Sequence, residues 1–98
     1  MAARTPDSEP CDNQHAAPPT PAARAIDWQP SHSRVNQVRV RAHTCSCTSP
    51  YFELCTAGGR WFVRRFTGGN PTVTTESPWL SARTAQDLWT QILAGQAQ

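Results

Sequence analysis

Apolar and polar residues alternate from Val38 onward and hardly at all before it. Val38, Val40 and Ala42 fall on one side of an extended chain, with Arg39, Arg41 and His43 on the other, the period of a half-buried strand. The stretch YFELC, residues 51–55, repeats the pattern, with Phe52 and Leu54 on one side and Tyr51, Glu53 and Cys55 on the other. Gly58 and Gly59 then turn the chain into RWFVRRF, residues 60–66. Its aromatic and β-branched residues make it the strongest strand in the sequence, and Gly68 and Gly69 close it. A short fourth strand is expected in PTVTTE, beginning at Pro71, where a missing N–H matters least.

The period changes after Pro78. Ser81 is a ready N-cap, and Ala85, Leu88, Trp89 and Ile92 recur at the spacing of one helical face. Arg83 and Asp87 stand four apart on the other side, and Gly95 can end the helix. The pattern predicts an α+β fold: a small antiparallel three- to four-stranded β-meander followed by one C-terminal α-helix packed on one face. Trp79 and Trp89 are read as core residues of that fold.

Residues 1–33 carry six of the nine prolines, many alanines and few residues that could be buried, so the entropy of ordering them meets little opposition. They read as a disordered Pro/Ala-rich tail, followed by the domain at 34–95 and a frayed C-terminus at 96–98. Ile26 and Trp28 are the tail's one apolar cluster, and read as linker residues, with a short docking motif as the alternative. The N-terminus lacks the apolar core of a secretory signal, and no stretch approaches eighteen apolar residues. A cytoplasmic protein without membrane contact is therefore expected, its cysteines reduced unless they bind metal or do redox chemistry.

Charge adds a second layer to this picture. All nine basic residues are arginine, and the net charge of +2 is unevenly spread. Residues 1–33 hold two arginines against four acids, whereas residues 34–66 hold six arginines against Glu53 alone. The basic segment coincides with the first three predicted strands and could attract phosphate.

At YFELCTAGGRWFVRRF, ESPWL and DLWTQILAG the sequence resembles small actinobacterial proteins that pair a Gly-turned, Arg-ended β-hairpin with a Trp-bearing final helix. The resemblance spans roughly residues 38–97 and implies the same small sheet-and-helix fold. It implies no activity, and the N-terminal segment lies outside it. The arginine-only composition agrees with a source of high G+C content.

One histidine and three of the four cysteines crowd into AHTCSCTSPYFELC, residues 42–55. His43, Cys45, Cys47 and Cys55 have the ligand types of a Cys3His structural zinc site. Their spacing is not a strong signature, because residues two apart on a straight strand sit roughly 6.6 Å from each other. Four ligands could meet only if the chain bends. A turn centred on Ser49 and Pro50 would set Cys47 opposite Tyr51, Cys45 opposite Glu53 and Cys55 opposite His43, which brings together His43, Cys45 and Cys55 but not Cys47. Reduced cysteines serving as small strand residues, or a hairpin disulfide to Cys55, are the alternatives. Cys11, in the tail, reads as a free thiol.

Arg39, Arg41, Arg60, Arg64 and Arg65 could present guanidinium groups to a phosphate backbone from the sheet, with Tyr51 stacking a base. The ordinary reading of such arginines is solubility and protection of the sheet edge. RWFVRRF is apolar on both sides, which suggests that its second face is also covered, for example in a homodimer. Neither a P-loop nor a dinucleotide fingerprint is present, and no nucleophile has an evident base, so catalysis is not expected. The sequence points to a small non-enzymatic binding protein that contacts nucleic acid through an Arg-bearing sheet. A protein-interaction or dimerisation module with a structural zinc is the alternative.

Overall fold

In the computed structural model, residues 14–31 and 37–98 are described. Five strands and one helix follow in chain order: β1 (Gln29–Pro30), β2 (Arg39–His43), β3 (Tyr51–Ala57), β4 (Arg60–Thr67), β5 (Val73–Glu76) and α1 (Ala82–Leu93). They form one antiparallel sheet in the order β1-β5-β4-β3-β2. The expected meander and C-terminal helix are present, with one strand more than the alternation predicts. That strand, β1, is two residues long and contains Pro30, so no periodicity could reveal it.

Gly58 and Gly59 take φ of 58° and 78°, the left-handed backbone that a two-residue hairpin needs, and they join β3 to β4 with Ala57 opposite Arg60. At the helix start, the Ser81 hydroxyl accepts from Thr84 N–H at 3.2 Å. At its end, Gln96 N–H donates to Gln91 C=O and Gly95 N–H to Ile92 C=O, the pair of bonds of a Schellman cap with Gly95 at φ 75°. Arg83 and Asp87 form no ion pair among the described residues, at little cost since an exposed pair contributes about 0–1 kcal/mol.

Helix α1 lays Ala85, Leu88, Trp89 and Ile92 against Phe52, Leu54 and Val63 of the sheet, and Ala97 joins the same cluster. Trp61 and Arg65 share this side of β4 with Val63. On the opposite side, which we call the open face, Phe62 is fully buried among Cys55, Ala57 and Val38. Trp79 meets Phe62 edge-on at 5.3 Å and is itself 38% exposed, so it caps this second cluster and does not belong to the main core. Both sides of β4 are thus covered within one chain. The apolar character of RWFVRRF on both sides needs no second copy to explain it.

Residues 14–31 differ most from expectation. The sequence assigns them to a disordered tail, yet they are packed along the domain. Ala17 N–H donates to Leu93 C=O, Thr20 N–H to Gly95 C=O, Arg24 N–H to Gln96 C=O, and Gln98 N–H to Arg24 C=O. Ile26 and Trp28 pack on the main core, with Trp28 6.1 Å from Phe52. Residues 96–98, expected to fray, are held by the same contacts, and Ala97 is 1% exposed. Proline explains why this was hidden: Pro18, Pro19 and Pro21 have no N–H to satisfy, so the segment docks without any regular pattern. The rest of the expected tail, residues 1–13 and 32–33, lies outside the described residues.

Candidate metal centre

The β2–β3 connection departs from the predicted turn. Thr44 extends the pairing beyond β2, with its N–H donating to Phe52 C=O and its hydroxyl accepting from Phe52 N–H, both at 2.9 Å. This buried double bond ends the ladder at Thr44, so Cys45 to Pro50 form the loop. The register follows: His43 is opposite Glu53, Ala42 opposite Leu54 and Val40 opposite Cys55, with an irregularity between Val40 and Ala42. The expected pairings of Cys55 with His43, Cys45 with Glu53 and Cys47 with Tyr51 do not occur.

The four candidate ligands are consequently split. Cys55 is fully buried on the open face beside Phe62, remote from the loop in the sheet register. His43 stays at the end of β2, its Nδ1 3.3 Å from the Thr44 carbonyl oxygen. Cys45 and Cys47 remain together, because residues 46 and 47 turn instead of extending and the obstacle of strand spacing disappears. Cys47 N–H donates to Cys45 Sγ at 3.4 Å, and the Thr48 hydroxyl donates to Cys45 C=O at 3.4 Å. No disulfide joins Cys45 or Cys47 to Cys55, so the hairpin bridge considered from the sequence does not form.

The third partner is one that strand periodicity could not find. Gln14 bridges Thr44 in parallel, and Cys45 N–H donates to Gln14 C=O at 2.7 Å. This bond sets His15 beside the loop, where its Nε2 lies 3.0 Å from Cys47 Sγ. The ligand atoms of His15, Cys45 and Cys47 all lie within 4.8 Å of one another. Around a tetrahedral zinc with bonds of about 2.0–2.3 Å, neighbouring ligand atoms stand roughly 3.5–3.8 Å apart, so small side-chain movements would seat an ion. Cys45 is buried, while Cys47 and His15 are exposed. Two thiols and an imidazole are the donor set that zinc favours, and a thiolate gains from the N–H aimed at Cys45 Sγ. A histidine in a proline-rich segment gave little warning of this. The only signal was its lying 30 residues before a Cys-x-Cys.

The arginines are distributed over the molecule. Arg64 sits on the open face between two acids, with Nε donating to Glu76 at 2.9 Å and Nη1 3.5 Å from Glu53. Glu76 is 1% exposed and also accepts from the Ser31 hydroxyl at 3.2 Å. Burial by itself would lower the Arg64 pKa; the hydrogen bond to Glu76 and the negative field of Cys55, Glu76 and Glu53 outweigh it and hold the group above its ordinary value. Arg65 lies on the helix side, its guanidinium 4.6 Å from the Trp28 ring centre, and burial lowers its pKa. Arg41 lies over Trp61 and Arg60 over Trp79, each at 6.0 Å, while Arg39 is exposed on edge strand β2. Tyr51 is stacked across the strands on Phe66 at 4.6 Å. These six residues do not converge on a single basic surface.

Comparison with protein-family models, with curated proteins and with solved structures finds no match to this chain. Among the described residues, no helix is long and apolar enough to cross a membrane.

Proposed function

We propose that this protein is a small non-enzymatic binding module whose His15, Cys45 and Cys47 hold a structural zinc ion. One observation carries the reading: three zinc-type ligand atoms from two distant segments lie within 4.8 Å of one another. The role is that of a staple. An ion there would tie the start of the packed N-terminal segment to the β2–β3 loop, and so reinforce a sheet of few residues whose single core rarely supplies more than about 3–5 kcal/mol. Metal content per chain tests the reading, measured by elemental mass spectrometry on tag-free protein purified without added metal. About one zinc per chain is expected. A metal-free protein that also fails to take up added zinc overturns it.

A second reading is favoured by Arg39, Arg41 and Arg60, none of which has an ion pair among the described residues. In this reading Arg39 and Arg41, both on edge strand β2, contact a phosphate backbone without sequence readout, and Arg60 adds a separate contact. Arg64 and Arg65 contribute less to such a contact, the first because two acids offset its charge and the second because it is packed on Trp28. The partner in this reading is nucleic acid.

A further inference from the structure

We infer that a cleft at the end of β2 and β3, on the open face, binds an organic ammonium group with Glu53 as its counter-ion. The cleft has a volume of about 260 Å³ and is lined by His43, Thr44, Ser46, Tyr51 and Glu53. It forms where the β2–β3 ladder stops. His43 and Glu53 are directly opposite in register, so their side chains share the open face, and Tyr51 stands on that face two residues before Glu53. Beyond Thr44 the chain leaves the ladder and adds Ser46 to the wall. The cleft contains none of His15, Cys45 and Cys47, so the inference stands apart from the zinc reading.

The polar groups of this wall suit a donor. Arg64 Nε donates to Glu76 at 2.9 Å, whereas its Nη1 is 3.5 Å from Glu53, at the limit of a hydrogen bond. Arg64 is shared between two acids and offsets only part of the Glu53 charge, and the Glu53 side chain is 25% exposed. His43 Nδ1 lies 3.3 Å from the Thr44 carbonyl oxygen, which can only accept. A proton on Nδ1 leaves Nε2 of the neutral ring as a further acceptor, and the Tyr51 and Ser46 hydroxyls can accept as well. Phe66 stacks on Tyr51 at 4.6 Å and holds its ring in place, and a fixed aromatic ring near a carboxylate favours a cation.

Other ligand classes fit less well. A phosphate would meet the Glu53 carboxylate and be repelled. A divalent metal ion would find one carboxylate and one imidazole, fewer charged donors than calcium or zinc sites supply. An ammonium group brings only N–H donors and needs only acceptors. The volume is close to the lower end of ligand cavities, about 300 Å³, so the ligand is a small primary amine or the end of a lysine side chain.

The test is a titration of the full chain with n-butylammonium, followed by amide proton–nitrogen correlation spectra. The amine is expected to move the Ser46, Tyr51 and Glu53 signals to saturation. n-Butanol, of the same length without the charge, is expected to leave them in place. Glu53→Gln keeps the shape of the side chain and should weaken amine binding at least about tenfold, through loss of a charge-assisted hydrogen bond. A blocked lysine peptide separates the two sources: binding at least as tight as that of butylammonium assigns the cleft to a lysine of a partner protein, and weaker binding assigns it to a free amine.

Absence of a saturable shift at these amides, equal shifts with butanol, or unchanged affinity in Glu53→Gln overturns the inference. Calcium that displaces the amine at lower concentration also overturns it, because the cleft is then a metal site. The butanol comparison uses the unmutated chain and so decides the matter even if Glu53→Gln does not fold.

Discussion

His15 Nε2 lies 3.0 Å from Cys47 Sγ although the two residues are 32 apart in sequence. The contact depends on one backbone bond, Cys45 N–H to Gln14 C=O, which fastens the start of the N-terminal segment to the β2–β3 loop. Metal binding should therefore act on the whole domain as well as on the loop. A ligand at a hundred times its dissociation constant stabilises the folded state by about 2.7 kcal/mol. For a domain of this size that corresponds to a rise of roughly 10–20 °C in melting temperature. Thermal melts with zinc and with chelator should differ by this amount, and Cys45→Ser or Cys47→Ser should remove the difference. Identical melts would count against a structural ion.

Removing Arg64 takes one guanidinium away from the buried Glu76 carboxylate. Breaking a buried ion pair from one side costs about 3–5 kcal/mol. The lower end is expected, about 3 kcal/mol, because the Arg64 side chain is still 23% exposed. Urea denaturation of Arg64→Met should show this loss, and adding Glu76→Gln should recover part of it. A change below about 0.5 kcal/mol in the single variant would mean that the network carries little of the fold.

Trp28 provides a measure of how firmly residues 14–31 belong to the domain. It packs on the main core beside Phe52 and under Arg65. Trp28→Ala should destabilise the protein by about 2–3 kcal/mol, less than a fully buried tryptophan because Trp28 is only half-buried. Deletion of residues 1–31 should cost more. If the deletion leaves the urea midpoint unchanged, those residues are a dispensable tail.

Gly95 joins two constraints at one position. Its φ of 75° costs about 1–2 kcal/mol for any residue with a Cβ, and an added Cβ would fall against the Pro18 carbonyl oxygen. Gly95→Ala should lose more than about 1 kcal/mol and open the 14–24 segment to proteolysis. Unchanged protease resistance would mean that the segment is held elsewhere.

The phosphate reading makes a numerical prediction about salt. Each phosphate contact to a single strand contributes about 0.7 to the slope of log affinity against log salt. Arg39→Ala with Arg41→Ala should lower that slope by about 1.4 in oligonucleotide titrations. Binding that is absent or insensitive to salt would remove the reading.

Local rules were sufficient for the second half of the chain. Strand periodicity, the Gly58-Gly59 turn, the Ser81 cap and the Gly95 stop each depend on residues a few positions apart, and all are found where the sequence put them. The cysteines were also recognisable as ligand types, and Cys45 and Cys47 are brought together. What the sequence could not determine was which residues join them, because that depends on register and on long-range docking. Thr44 ended the ladder by bonding Phe52, which moved Cys55 opposite Val40 and left His43 opposite Glu53. The N-terminal segment docks through proline-rich extended backbone, whose bonds to Leu93, Gly95 and Gln96 have no periodic trace. His15 reaches Cys47 only because that docking occurs, so the identity of the site was a property of the tertiary structure.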